Sequence, residues 1–187
     1  MVIGQYKENY TLEDGELRLR FYLESFPVEW EQMGILADFF SNYMASYFVS
    51  PEAVQKGYLT TTEVVGIAGY ALNELFENAI KFNYNGEVNV SIGLENEELI
   101  LLLTNYMATK DLDSFQEKLN ELAQGDIAEL LIRKVEQNFA EKNGSSGLGL
   151  LSLIQDYKAV LGWKFEKLED IPGPVVVNTM ARLSIKK

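Results

Sequence analysis

The segment from Thr61 to Phe82 constrains this chain more than any other. Leu72, Leu75, Phe76, Ala79 and Ile80 fall at i, i+3, i+4, i+7 and i+8, the spacing of one apolar stripe along an α-helix. Such a stripe needs a surface to cover it, and the residues that follow can provide one. Asn83-Tyr84-Asn85-Gly86 closes the helix with turn residues. Val88, Val90 and Ile92 then alternate as a strand, Glu95-Asn96-Glu97-Glu98 turns, and Leu99 to Leu103 returns as a buried strand. A helix followed by a hairpin is the nucleus of a layered fold.

The remaining segments extend this layering. The residues before Glu16 read as a loose lead-in, and Leu17 to Leu23 alternates as a strand. Ser25-Phe26-Pro27 ends that strand, with the proline placed to open a helix. Trp30 to Phe48 is a helix rich in Met, Phe and Tyr, and its wide apolar surface fits either core or a homodimer face. Ser50-Pro51-Glu52 begins a connecting segment. Leu112 to Ala123 and Ile127 to Ala140 are amphipathic helices parted by Gln124-Gly125-Asp126, the second with Ile127, Leu130, Leu131, Val135 and Phe139 as its buried stripe. A small-residue loop, Asn143 to Gly147, precedes a helix from Leu148 to Leu161 that Gly162 ends. Strands from Trp163 to Lys167 and Val175 to Ile185 close the chain, joined by Ile171-Pro172-Gly173-Pro174. The order predicts an α/β (α+β) two-layer sandwich, a mixed β-sheet with helices on one face. The Thr61–Phe82 and Leu148–Leu161 helices share that face because both stripes need the sheet. No repeat, low-complexity tract or linker interrupts the 187 residues, so one domain is expected over 1–187. Its residues 106–147 form a lid-like helical insert and glycine loop.

Composition narrows the chemistry. The chain has no Cys and no His, which excludes disulfides, thiolate nucleophiles, imidazole bases and the usual zinc sites. Catalysis must run on carboxylates, amides, hydroxyls, Lys, backbone dipoles or a hard metal ion. A net charge of −12 makes DNA or RNA a poor partner. A small anionic ligand remains compatible, because backbone N–H groups cradle phosphates without net positive charge. Every apolar run is shorter than the ~18 residues of a membrane span. Met1 to Glu8 lacks the pattern of a secretory signal, so no membrane partner and a cytoplasmic address are expected.

Two segments carry candidate chemistry. Glu74, Asn78 and Lys81 stand at i, i+4 and i+7, aligned on one face of the strongest helix. A carboxylate, an amide oxygen and an ammonium in a row suit a base, a magnesium ligand and a phosphate contact; the same row also suits a solvated helix face. Glu77, next to Asn78 in sequence, lies about 100° round the helix. The second segment is Gly144-Ser145-Ser146-Gly147-Leu148-Gly149-Leu150, directly before an apolar helix. Its glycines let backbone approach an anion at a helix N-terminus, or simply make a tight connection in which Ser145 and Ser146 cap the helix.

Taken together and in this order, the segments resemble a known superfamily. Glu74-Leu-Phe-Glu-Asn78-Ala-Ile-Lys81-Phe is similar to the N-box of the GHKL (histidine kinase-like) ATPases. Gly147-Leu148-Gly149-Leu150 is similar to their second glycine box. The resemblance implies the Bergerat-type ATP-binding fold, with a hairpin and a lid between the boxes, and ATP with Mg²⁺ as ligands. It implies that Asn78 binds Mg²⁺, that Glu74 is the catalytic carboxylate, and that Lys81 lies near the phosphates. It further implies that Gly144, Ser145, Ser146, Gly147, Leu148, Gly149 and Leu150 wrap those phosphates. The superfamily's Asp-x-Gly-x-Gly box is replaced by Leu103-Thr104-Asn105-Tyr106-Met107-Ala108-Thr109. Asn105 stands at the Asp position, where its amide can accept and donate for adenine or end a strand in a turn.

Without a phosphoacceptor His, the chain resembles the small stand-alone members, the anti-sigma-factor serine kinases and, nearest, the SiaB-type kinases. These imply signal transduction through a small regulatory protein phosphorylated on Ser or Thr. The alternative is a partner-switch module that keeps the fold and binds a protein without catalysis.

Overall fold

The computed structural model describes residues 1–10, 16–22, 30–84, 86–141, 147–167 and 173–187. Leu23, Ser25-Phe26-Pro27, the loop from Asn143 to Ser146, and Ile171-Pro172 lie outside the described residues. The elements in chain order are β1 (Val2–Gly4), β2 (Leu17–Tyr22), α1 (Trp30–Phe48), α2 (Pro51–Gln55), α3 (Thr61–Lys81) and β3 (Glu87–Glu95). They continue with β4 (Glu98–Met107), α4 (Thr109–Gln124), α5 (Ile127–Glu141), α6 (Gly149–Tyr157), β5 (Val160–Lys167) and β6 (Val175–Ser184).

The six strands form one sheet in the order β1-β5-β6-β4-β3-β2. Every pairing is antiparallel, so the expected mixed sheet is corrected to an antiparallel one. The reason lies in the last two strands. β4 and β5 run the same way on either side of the helical insert, but β6 turns back from β5 and inserts between them, so no parallel neighbours meet.

One face of the sheet is apolar in register. Ile92, Leu101, Ala181 and Leu161 lie side by side across four strands and are all buried. Helices α1, α3 and α6 pack over this face, and their buried residues join one core with Phe115 and Leu119 of α4. Within α3 the predicted stripe is realised, with Leu72, Leu75, Phe76 and Ala79 all buried. Its start is fixed by a reciprocal cap. The Glu63 amide donates to Thr60 Oγ1 at 3.3 Å, and the Thr60 amide donates to Glu63 Oε2 at 2.7 Å. The Thr60 backbone bond, followed by Lys187, lowers the Glu63 carboxyl to about 2. The Ser50 hydroxyl caps α2, with Pro51 in the first turn, so the expected connecting segment is itself a short helix.

Four further expectations change. First, Val2–Gly4, read as loose lead-in, are an edge strand paired with β5. Second, α6 ends at Tyr157, where Lys158 takes a left-handed φ of 54°, rather than at Leu161. Third, Gly162 is therefore a strand residue. The chain after β1 crosses the sheet's other face here, and a Cβ on Gly162 would overlap the Tyr6 backbone. The apolar run from Ala159 to Trp163 suited helix or strand by periodicity alone. Fourth, of the expected α5 stripe only Leu130 is buried, with Ile127 and Leu131 half-buried; Val135 and Phe139 are exposed. α5 packs on α6 and the α4–α5 turn instead of on the sheet, so it has little apolar surface to cover it. Among the described residues, no helix is long and apolar enough to cross a membrane.

Candidate functional site

α3 and α6 lie side by side with Tyr70 and Tyr157 in ring contact at 5.2 Å. This brings the solvent-side edge of α3 against the first turn of α6. A cavity of about 480 Å³ opens there, bounded by α3, the α4–α5 pair and the start of α6. Glu74, Asn78 and Lys81 line it from α3, and Gly147, Gly149 and Leu150 line it from α6 and the residues before it. Leu148 occupies the N-cap position of α6 but not the cavity wall. Gly144, Ser145 and Ser146 lie outside the described residues.

Glu74 and Gly149 fit together tightly. A Cβ on Gly149 would overlap all three atoms of the Glu74 carboxyl group, so the glycine gives the carboxylate room at the helix start. Burial, reinforced by the nearby Glu77 charge, raises the Glu74 pKa. Among the described residues no side chain caps α6, and its first N–H groups are available to an anion. Gly147 adopts φ 52°, a conformation suited to glycine, and a Cβ there would press on Lys134 Cε of α5.

Asn78 Nδ2 donates to the Glu74 backbone carbonyl at 2.8 Å. That bond orients the amide and leaves Oδ1 as an acceptor, a hard oxygen suited to Mg²⁺. Among the described residues no group of three or more Asp or Glu side chains could hold a metal. The donor set therefore fits an ion held by one protein oxygen plus ligand phosphates and water, not one caged by protein.

The α4–α5 pair adds residues that the sequence pattern did not single out. Lys118, Arg133 and Lys134 line the cavity beside Lys81, so four of the chain's 16 basic residues meet here. The lining acids are Glu74, Glu77 and Glu121, and Arg133 pairs with Glu121. In a chain of net charge −12, this wall is locally rich in cations.

Asn105 lies elsewhere. It is 4% exposed within β4, opposite Val177, and β4 runs on to Met107, so it does not end a strand in a turn. Its side chain lines a separate void of about 10 Å³, room for about one water, together with Asn78, Thr179 and Trp163. Asn78, Phe82, Phe115 and Leu150 line both spaces and form the partition between them. No protein-family model matches this chain, and a search of curated proteins finds no match.

Proposed function

We propose that this cavity binds ATP with Mg²⁺ and that the chain is a GHKL-type serine/threonine kinase, acting in trans on a small regulatory protein. The fold would then be of the Bergerat type. The observation that carries this reading is the meeting of Glu74, Asn78, Lys81, Gly147 and Gly149 on one cavity wall, despite their separation in sequence. The antiparallel sheet with its helices on one face is compatible with it.

Under this reading each group has one task. Asn78 Oδ1 would hold Mg²⁺, which would supply neutralisation of the phosphate charge. The α6 N-terminus and Lys81 orient the phosphates, with Lys118 and Lys134 facing them from the lid. Glu74 takes the proton of the acceptor Ser or Thr hydroxyl as that oxygen bonds to the γ-phosphorus, and ADP leaves with the broken bridging bond. Burial suits Glu74 to this, because a carboxylate with raised pKa is the stronger base.

A non-catalytic partner-switch module is the second reading. The small void at Asn105 favours it, because at about 10 Å³ it has room for about one water and not for an adenine ring. Calorimetry with MgATP, and transfer of labelled γ-phosphate to small regulatory proteins encoded nearby, separate the two. Binding that Asn78→Ala abolishes, with transfer that Glu74→Gln slows by roughly 10²–10⁴-fold, supports the kinase. Binding without transfer to any partner supports the switch module. No binding at all refutes the nucleotide reading.

A further inference from the structure

α5 turns one face to the cavity, with Leu130, Arg133, Lys134 and Gln137 at i, i+3, i+4 and i+7. α4 meets the same space from before the turn at Gly125, and its Glu121 stands on the cavity wall with Lys118. Among the described residues one ion pair joins the two helices, Arg133 Nη2 to Glu121 Oε1 at 2.5 Å. Lys118 and Lys134 line the same wall and have no ion-pair partner among the described residues. Arg133 is thus a cation of the wall that is already engaged, by an acid that also faces the cavity.

Helix formation does not account for Glu121. It stands in the last turn of α4, where a carboxylate meets the negative end of the helix dipole and a cation would be favoured. What its charge does meet is Arg133. Both side chains are about half exposed, so water screens their attraction and the pair is weak enough to exchange. Among the described residues the guanidinium makes this one hydrogen bond, although it carries five donors in a planar fork. A phosphate has more negative charge than a carboxylate and matches that fork through two oxygens. A phosphate in the cavity and the Glu121 carboxylate would therefore compete for one cation. We propose that Arg133 is a phosphate-binding residue and that Glu121 is its internal competitor, holding Arg133 in the empty cavity and yielding it to a phosphate of the ligand. Glu121 thereby sets how tightly the cavity keeps that ligand. The proposal rests on the reading that the cavity takes a phosphate ligand.

Calorimetry with MgATP and, separately, with inorganic triphosphate tests this on the full chain at about 0.15 M salt, where charges more than about 8 Å apart are largely screened. Glu121→Gln keeps the shape of the side chain and removes its charge. It should strengthen binding about threefold, the factor that an exposed ion pair is worth. A gain in affinity is a change that a damaged fold does not produce, and circular dichroism checks each variant. Arg133→Gln should weaken binding about threefold or more, since its bond to phosphate is offset in the wild type by the loss of Glu121. In the Arg133→Gln background, Glu121→Gln should change affinity by less than about 1.5-fold, because no cation is left to release. Equal gains in both backgrounds overturn the proposal, since Glu121 then repels the ligand directly. Weaker binding in Glu121→Gln also overturns it and makes Glu121 a residue that orients Arg133. Unchanged binding in either single variant overturns it as well. MgATP binding without the expected pattern removes this proposal and leaves the nucleotide reading standing. The full pattern with triphosphate but no MgATP binding does the reverse, and a wild type that binds neither overturns both.

Discussion

Substituting Gly149 by Ala tests the closest contact of the candidate site. The new Cβ would occupy the space of the Glu74 carboxyl group, and because that group ends a flexible side chain, the side chain moves rather than the helix. Forcing Glu74 off its preferred rotamer costs about 0.5–1.5 kcal/mol. Gly149 has no positive φ, so Ala fits the backbone and stabilises by about 0.4–1 kcal/mol through the unfolded chain. The two effects nearly cancel, and urea denaturation should find Gly149→Ala within about 1 kcal/mol of wild type. In a Glu74→Ala background the steric cost vanishes and the same substitution should stabilise. The double-mutant cycle should therefore give a coupling of about 0.5–1.5 kcal/mol, set by the rotamer cost alone. Displacement from the burial that raises its pKa should also bring Glu74 back toward the ordinary carboxylate range, which carbon-13 titration of the side-chain carboxyl reads directly. Equal effects of Gly149→Ala in both backgrounds, with an unmoved Glu74 titration, would refute the packing argument.

Three further expectations follow from the same structure. Because the folded-state pKa of Glu74 is raised, the stability linked to its protonated form is present below the ordinary carboxylate range and lost as pH rises through the raised value. Glu74→Gln should thus unfold later in urea than wild type at pH 8 and match it at pH 4. Thr60→Ala should cost about 1 kcal/mol by removing the α3 cap, and since the Glu63 pKa is depressed to about 2, the wild-type advantage should shrink as pH falls from about 4.5 toward 2. Lys118→Ala and Lys134→Ala should each weaken ATP binding about tenfold in calorimetry, the loss expected when a charged hydrogen-bond donor facing the ligand is removed.

The sequence made legible what depends on local periodicity and left hidden what depends on which surface faces which. The α3 stripe and the β3–β4 hairpin were readable because each pattern has one consistent period, and the Thr60–Glu63 pair was available as a further signal of where α3 starts. The α5 stripe misled because periodicity marks a helix face but does not supply a cover, and α5 lies off the sheet. Gly162 misled because a glycine after an apolar run also serves where another backbone crosses a strand. In the candidate site, Glu74, Asn78 and Lys81 were visible through their spacing on one helix. Lys118, Arg133 and Lys134 were not, because only the folding of the α4–α5 pair over the cavity gives their charges a common direction. Asn105 reads from sequence as an adenine contact or as the end of a strand in a turn, and its place inside β4, lining a void apart from the main cavity, is a packing fact that no spacing encodes.

The crossing of the N-terminal residues over the sheet bears on how the chain acquires its structure during synthesis. The amino group of Met1 donates to the carbonyl of Phe165, 164 positions later, and β1 finds its partner only in β5. A ribosome adds about 5–20 residues per second, so β1 must wait roughly 8–30 seconds for its template. The strands β3 and β4 can pair as soon as they emerge, whereas the edge beside β5 and the cover over Gly162 must wait until β5 has been made. The β1 residues are thus made long before the strand they pair with, and until they dock, the edge of β5 and the back of the sheet stay open to other chains.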